Sequence, residues 1–220
     1  MKNDPIIDER DEWSGWQRLS EIDDINYINF MSSCLSLVRD KHILEFGSGL
    51  GWHTKIMLKF EPKKIICVEP DKERAEEEVY KNNNIVTLYS STANDYYSQN
   101  NDSVDMVVCC GLLYHLHSPI HLLEKIINVS KPNHILIETI DGSDIQFIDE
   151  EFHSLGNAHS DKNVKFPILK LMTVPADIII ECIETTNYRV EKIHRCKGIW
   201  NNNQSPSIVS TILFKNIDSH

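Results

Sequence analysis

The sequence predicts an α/β fold, in which a mainly parallel sheet lies between two layers of helices. Apolar runs of strand length alternate with helical patterns along most of the chain, which is typical of parallel sheets covered on both faces. Three glycines on alternate positions follow the first strand, and an acidic residue, Glu69, closes the second. Because open parallel sheets bind ligands beyond the carboxyl ends of their strands, these residues predict a binding site at that edge.

The elements are predicted in chain order from their periodicity. Ile25, Ile28, Met31, Leu35 and Val38 recur at helical spacing and predict an amphipathic helix over Asp23–Val38. Seven strands are predicted, the last two as a terminal antiparallel pair: His42–Phe46, Lys64–Val68, Ile85–Tyr89, Val104–Cys109, His134–Ile140, Tyr188–His194 and Ile208–Phe214. Between them, helices are predicted over Trp52–Phe60, Lys72–Asn82 and Pro119–Ser130, the last followed by Pro132.

Length and composition indicate one globular domain. A chain of 220 residues with 41% apolar residues can bury a sizeable core. The first ten residues are polar and acidic, which does not resemble a signal peptide. The longest membrane candidate, Ala176–Ile183, is short and contains Asp177 and Glu181. We therefore expect a cytoplasmic protein that does not cross a membrane.

The net charge of −11 and the pI near 5.3 disfavour a broad nucleic-acid surface, which needs clustered lysine and arginine. They leave open a local basic patch, for which there are two candidate clusters: Lys162, Lys165 and Lys170, and Lys192, Arg195 and Lys197.

The six cysteines do not form a Cys-x-x-Cys pair, and Cys67, Cys109 and Cys110 lie on or at the ends of apolar strands. Buried reduced thiols that pack as small hydrophobic side chains are therefore expected. His115, Glu138 and His153 have no recognised metal-ligand spacing, so no metal site is predicted.

The segment 43–54 reads Ile-Leu-Glu-Phe-Gly-Ser-Gly-Leu-Gly-Trp-His-Thr. Glycines at this spacing allow a tight turn and let the backbone approach a ligand, whose anionic group can face the N–H groups of the next helix. A dinucleotide fingerprint needs glycine where this chain has Trp52, which argues against a nicotinamide oxidoreductase.

Glu69 lies 22 residues after Gly47, close to the offset at which a second strand brings a carboxylate to a ribose. One carboxylate can accept hydrogen bonds from both ribose hydroxyls. Together with Glu45, Glu69 predicts a nucleoside pocket.

At these residues the chain resembles the class I S-adenosylmethionine (SAM)-dependent methyltransferases. The resemblance covers roughly residues 40 to 140 and rests on four segments in the right order: 45–51, Glu69, 102–108 and 111–119. It implies a seven-stranded, three-layer Rossmann-like sandwich, SAM as cofactor and S-adenosylhomocysteine as product. The cofactor-binding residues that it implies are Glu45, Gly47, Ser48, Gly49, Gly51, Glu69, Pro70, Thr92, Ala93, Cys110 and Gly111.

A closer similarity to tRNA wobble-uridine carboxymethyltransferases rests on the segment Gly-Leu-Leu-Tyr-His-Leu and on Ile-Glu-Thr-Ile in the fifth strand. Those enzymes use carboxy-SAM, which they recognise with added basic residues. We expect plain SAM as the donor in this chain.

Tyr114 and His115, just past the end of the fourth strand, are the candidate catalytic residues. His115 could act as a general base, since imidazole titrates near neutral pH, or it could only line the pocket. Tyr114 is expected to shape the pocket for the transferred methyl group. Glu138 could bind a cationic acceptor or pair with a nearby cation, and His117 is expected to be solvated.

Three regions are predicted within one structural domain. Residues 1–40 form an N-terminal segment and a helix that cap the site, with Trp13 and Trp16 as core anchors or acceptor contacts. Residues 41–220 form the SAM-binding methyltransferase domain. Within it, residues 141–173 form a variable insertion that covers the acceptor, where His153 and His159 could touch substrate.

The predicted function is methyl transfer to a small-molecule acceptor by in-line displacement. Three alternatives remain open: an RNA methyltransferase with a tRNA substrate, a protein methyltransferase, and a non-catalytic SAM-binding subunit. The residues also leave open whether O, N, C or S receives the methyl group.

Overall fold

The computed structural model describes residues 16–18, 21–71, 78–141, 147–149, 170–172, 174–200 and 207–219. The strands in these ranges are β1 Trp16–Arg18, β2 His42–Phe46, β3 Lys64–Val68, β4 Val86–Tyr89, β5 Met106–Cys110, β6 His134–Asp141, β7 Phe147–Asp149, β8 Lys170–Met172, β9 Tyr188–Trp200 and β10 Ser207–Asn216. The α-helices are α1 Glu21–Leu35, α2 Trp52–Leu58, α3 Glu78–Lys81, α4 Ala93–Gln99, α5 Pro119–Lys125 and α6 Ala176–Glu184. Single 3₁₀ turns lie at Ser36–Val38 and Leu113–His115, and a π-helical turn at Ile126–Ser130 continues α5.

Eight strands form one sheet in the order β1-β9-β10-β6-β5-β2-β3-β4. Strands β6, β5, β2, β3 and β4 run parallel, and β10 lies antiparallel between β6 and β9. The predicted seven-stranded, mostly parallel sheet with a terminal antiparallel strand is therefore confirmed. Strand β1 adds an eighth strand at the edge of β9, where Trp16 is opposite Trp200. It was not predicted, because three residues are too short to show a periodicity.

The seven predicted strands and the helices around them agree with the structure closely, with most ends displaced by two residues or fewer. Besides β1, the missed elements are α4, α6 and the antiparallel pair of β7 and β8, which lies inside the predicted insertion 141–173. The predicted helix over Lys72–Asn82 is described only as α3, because residues 72–77 lie outside the described ranges.

Each face of the sheet carries its own core. On one face α1 contributes Met31 and Leu35 and α2 contributes Met57, all fully buried, and α3 packs beside them. On the other face α4, α5 and α6 pack against the apolar residues of the same strands. Ile25 was predicted to share the apolar stripe of α1, but it is exposed, and Tyr27 and Cys34 complete the stripe instead.

All six cysteines are free thiols, and Cys67, Cys109 and Cys110 are buried as predicted. In the described part of the chain, no helix is long and apolar enough to cross a membrane.

The parallel strands place four connections at one edge of the sheet. Residues 47–51 follow β2, residues 69–71 follow β3, residues 90–92 follow β4, and residues 111–118 follow β5. Nearly all predicted site residues lie on these connections, because the carboxyl ends of parallel strands meet at the same edge.

Candidate functional site

The glycine turn after β2 has a backbone that other residues rarely adopt. Gly47, Gly49 and Gly51 have φ angles of 69°, 56° and 77°, in the left-handed region. The Gly51 N–H donates to the Ser48 carbonyl at 2.9 Å and closes the turn just before α2. A Cβ on Gly51 would lie only 2.4 Å from Val79 Cγ1 of α3. The turn therefore needs glycine at this position for both its conformation and its packing.

Glu69 reaches this turn from the end of β3, as the spacing predicts. Its Oε2 accepts a hydrogen bond from the Gly49 N–H at 2.8 Å, and its Oε1 accepts one from the Asp71 N–H at 3.0 Å. The Glu69 side chain is buried, whereas its neighbour Pro70 is exposed. The structure thus brings together the carboxylate and the glycine turn expected of a nucleoside pocket.

Tyr80 of α3 also contacts the glycine turn, and sequence reasoning missed it. Its hydroxyl donates to the Gly49 carbonyl oxygen at 2.8 Å and lies 3.0 Å from Ser48 Oγ. The signal that could have found it is slight: in the charged segment 72–82, Val79 and Tyr80 are adjacent apolar residues.

Glu45, at the end of β2, points towards the first turn of α2. Its Oε2 accepts from the Thr54 hydroxyl at 2.5 Å, and its Oε1 lies 3.8 Å from His53 Nδ1. Burial raises the pKa of the Glu45 carboxyl to about 7, although the hydroxyl of Thr54 and the thiol of Cys67 favour the ionised form. In this position Glu45 links β2 to α2 behind the glycine turn, and a direct contact with the cofactor stays a prediction.

The connection after β4 contains the predicted Thr92 and Ala93. Thr92 is the N-cap of α4: its Oγ1 accepts from the Asp95 N–H at 3.1 Å and lies 2.8 Å from the Asp95 carboxylate. Ala93 is the first residue of that helix. Ser91, which precedes Thr92, has a buried Oγ with no hydrogen-bond partner among the described residues. A buried hydroxyl of this kind, at the carboxyl edge of the sheet, fits a polar ligand better than an apolar one.

The connection after β5 folds back over the glycine turn. Gly111 has a φ of 71°, and its N–H donates to the Glu138 carbonyl at 3.0 Å. A Cβ on Gly47 would lie 3.2 Å from Leu112, and one on Gly111 would lie 3.4 Å from the Tyr114 hydroxyl. The two connections are therefore in contact, and Cys110, which precedes Gly111, is buried beneath them.

The two candidate catalytic residues lie next to each other on this connection. The rings of Tyr114 and His115 are 4.4 Å apart and tilted by 52°. Tyr114 is buried, while His115 is partly exposed with its Nδ1 buried. His117, two residues further on, is exposed, as predicted.

Glu138 of β6, opposite Cys110 at the end of β5, is buried beneath α1. Its Oε2 accepts hydrogen bonds from the Tyr27 hydroxyl at 2.6 Å and from the Thr211 hydroxyl at 3.3 Å. Tyr27 belongs to α1, so this contact connects the N-terminal helix to the carboxyl edge of the sheet.

The basic cluster Lys192, Arg195 and Lys197 is divided by the pleat of β9. Lys192 Nζ lies 3.2 Å from Ser33 Oγ on the α1 side. Arg195, three residues on, faces the other side, where it pairs with Asp177 at 2.5 Å and Asp141 at 3.4 Å. The three residues therefore do not form one patch.

Several predicted residues lie outside the described ranges, namely Trp13, His153, His159, Lys162 and Lys165, as do the side chains of Trp16 and Lys170. Within those ranges, no group of three His, Cys, Asp or Glu residues is placed to hold a metal ion.

The strand order, the glycine turn and Glu69 define an α/β protein whose predicted nucleoside pocket lies at the carboxyl edge of its sheet. A family model described as a methyltransferase domain matches residues 25–191, which is more than half of the chain. The chain belongs to this family, and it is a class I SAM-dependent methyltransferase. No curated protein sequence matches it significantly.

Many solved structures share the fold. One is the 1,6-didemethyltoxoflavin N1-methyltransferase of Burkholderia thailandensis, with 1,6-didemethyltoxoflavin and S-adenosylhomocysteine bound. It is 13% identical to this chain, with a TM-score of 0.63, and the match covers 97% of this chain and 84% of that one. Another is the N-methyltransferase NodS of Bradyrhizobium japonicum with S-adenosylhomocysteine, 14% identical, with a TM-score of 0.59 and coverage of 87% and 86%. The small RNA methyltransferase HEN1 is 14% identical, with a TM-score of 0.60, and the match covers 89% of this chain but 25% of that chain.

The predicted cofactor, SAM, is thereby confirmed. The residues present fit it: Glu69, the predicted ribose contact, lies against the glycine turn, and Ser91 offers a buried hydroxyl with no hydrogen-bond partner among the described residues.

Proposed function

We propose that this methyltransferase acts on a small-molecule acceptor. The observation that carries the proposal is that the basic residues of β9 lie on two opposite faces of the sheet. In the cluster of β9, Lys192 contacts α1, while Arg195 is paired with two aspartates on the opposite face. Divided in this way, and in a chain with a net charge of −11, these residues do not present the aligned cations that a phosphate backbone needs. The 1,6-didemethyltoxoflavin N1-methyltransferase, whose structure contains the small molecule 1,6-didemethyltoxoflavin, shares the fold and supports the same proposal.

SAM supplies a methyl group that is already activated by its sulfonium. The protein therefore contributes mainly by positioning, which can supply up to about 7–11 kcal/mol. The glycine turn and Glu69 hold the donor, and the connection at 111–118 places Tyr114 and His115 beside it. We propose that Tyr114 shapes the methyl pocket and that His115 accepts the proton of a hydroxyl acceptor at its exposed ring edge.

Two further segments are proposed to cover the acceptor. Helix α1 reaches the site edge through the hydrogen bond of Tyr27 to Glu138, which supports a capping role for residues 1–40. The insertion 141–173 leaves the sheet at the end of β6, at the same edge, which supports its role as the variable substrate-covering segment.

The direct test is to incubate the protein with methyl-labelled SAM and three separate pools: small metabolites, total RNA and cell protein. Label in a metabolite, identified by product mass, is the expected result. A Glu69→Ala variant serves as the control for label that does not depend on the cofactor site. Label that enters only RNA or only protein would overturn the small-molecule proposal, and absence of label from all three would indicate a non-catalytic SAM-binding protein.

The role of His115 can be tested with the acceptor found in that screen. His115→Asn should lower kcat by on the order of 10²-fold, with SAM affinity nearly unchanged, because the variant lacks a group that can accept the proton. If His115 is the base, the activity of the wild type should rise with pH, and this rise should be absent from the variant. If the pH profile is flat and the variant changes only the acceptor KM, His115 lines the pocket and is not a base.

A further inference from the structure

Tyr80 is the least expected of the residues that contact the glycine turn. Tyr80 lies in α3, which has four residues in the described part of the chain. None of the segments that carry the family resemblance includes Tyr80. Two consecutive residues of α3 nevertheless meet the turn. Val79 packs where a Cβ of Gly51 would otherwise lie, and the hydroxyl of Tyr80 reaches the Gly49 carbonyl.

The peptide groups of Gly49 are held on both sides. Its N–H donates to Glu69 Oε2 at 2.8 Å, and its carbonyl accepts from the Tyr80 hydroxyl at 2.8 Å. The same hydroxyl lies 3.0 Å from Ser48 Oγ. Glu69 and Tyr80 come from different elements, so the two contacts fix the position of Gly49 relative to both β3 and α3.

This double attachment matters because glycine lacks conformational restraint of its own. Gly47, Gly49 and Gly51 could adopt many backbone conformations, and ordering them upon ligand binding costs free energy. A turn that is already held in place loses less entropy when the cofactor binds. The Tyr80 ring is buried, so its hydroxyl is directed at the turn by packing rather than by chance rotation.

We propose that Tyr80 is a positioning residue for the cofactor, which holds the turn at Ser48 and Gly49 in its binding conformation. The proposal rests on SAM as the cofactor and is independent of which acceptor is methylated. Tyr80 acts through the turn and is not assigned a contact with the reacting atoms.

The test compares Tyr80→Phe with a matched control, Tyr188→Phe. Tyr188 is also buried, and its hydroxyl also donates to a backbone carbonyl, that of Pro132 at 2.6 Å. Pro132 precedes β6, so this contact lies at the opposite edge of the sheet from the glycine turn. Each variant removes one hydroxyl and keeps the ring, so the two should lose similar stability.

S-adenosylhomocysteine binding is measured by calorimetry on the full chain. Tyr80→Phe should bind it about threefold to tenfold more weakly, the effect of one hydrogen bond, while Tyr188→Phe should bind like the wild type. Equal affinities of Tyr80→Phe and the wild type would overturn the proposal. Equal losses in both variants would do the same, because they would indicate a general effect of stability.

Amide hydrogen exchange without ligand provides a second readout that does not depend on cofactor binding or on catalysis. In Tyr80→Phe the amides of residues 48–51 should exchange faster than in the wild type, and in Tyr188→Phe they should not. Unchanged exchange in Tyr80→Phe would show that the hydroxyl does not hold the turn. If wild-type protein failed to bind S-adenosylhomocysteine, the cofactor assignment would fail, whereas the exchange result would still report on the contact itself.

Discussion

Two halves of the sheet edge differ in the sequence separation of the residues that are in contact. In the donor half, which comprises β2, β3, β4 and their connections, Thr54 binds Glu45 over 9 residues, Gly49 binds Glu69 over 20, and Tyr80 reaches Ser48 over 32. In the acceptor half, which comprises α1, β6, β9 and β10, Tyr27 binds Glu138 over 111 residues and Lys192 reaches Ser33 over 159.

The difference follows from topology. In the donor half each strand is followed by a helix and the next parallel strand, so residues that meet at the edge are separated by about one such unit. In the acceptor half β10 inserts between β6 and β9, and α1 returns from the start of the chain. The predicted donor site therefore consists of short motifs, whereas the proposed acceptor site combines segments that are distant along the chain. Variants in the donor half should change cofactor affinity, and variants in the acceptor half should not.

Gly51→Ala should have the largest effect. The new Cβ would lie 2.4 Å from Val79 Cγ1, and the φ of 77° is unfavourable for alanine. Displacement of the turn should weaken S-adenosylhomocysteine binding by about 100-fold or more, since strain of this type costs ~1–3 kcal/mol before any clash. Calorimetry measures the loss. The double variant with Val79→Ala should recover part of it, and wild-type affinity in the single variant would show that the turn tolerates a side chain.

The Glu45→Gln variant tests a residue of the donor half by the pH dependence of the free energy of unfolding. Because burial raises the pKa of the folded-state carboxyl to about 7 from a usual 4.5, the folded protein retains a proton that the unfolded chain releases between those values. Wild-type stability should therefore fall as the pH rises through this window, and the glutamine variant should be spared this loss. Relative to the wild type, the variant should gain on the order of 2 kcal/mol between pH 4.5 and pH 8. Denaturant unfolding at the two pH values measures this gain, and a pH-independent difference would contradict it.

Glu69→Ala removes the acceptor of two backbone N–H groups as well as the predicted ribose contact. S-adenosylhomocysteine affinity should fall by about tenfold or more, since charge-assisted hydrogen bonds contribute roughly 1.5–3 kcal/mol each. Glu69→Gln keeps a carbonyl oxygen for Gly49 and should lose less. Calorimetry that finds unchanged affinity in folded Glu69→Ala would remove Glu69 from the site.

Tyr27→Phe should have the smallest effect on the cofactor. The loss of its hydrogen bond to buried Glu138 should lower the free energy of unfolding by about 1–2 kcal/mol. Affinity for S-adenosylhomocysteine should stay within about twofold of the wild type, because the contact belongs to the acceptor half. A tenfold loss of cofactor affinity would show that the two halves are coupled through α1.

Most of the donor half was predictable from sequence. The glycine spacing predicted the turn, the offset to Glu69 predicted its partner, and the strand periodicities located β2 and β3 to the residue. Tyr80 was not predictable, because nothing in a short charged segment shows that one tyrosine will reach a carbonyl 31 residues away. The division of Lys192 and Arg195 between two faces became clear only once β9 was known to continue as a strand to Trp200.

By itself, the sequence determined the fold class, the seven main strands, the methyltransferase family and the cofactor, because all of these depend on local periodicity and on motifs within one strand–helix–strand unit. The tertiary structure alone decided which side chains surround Glu138, that Tyr80 holds the glycine turn, and that β1 extends the sheet. These contacts join segments whose separation along the chain carries no periodic signal. The packing of α1 on the sheet and the insertion of β10 between β6 and β9 bring together the residues around Glu138, whereas Tyr80 reaches the turn from α3.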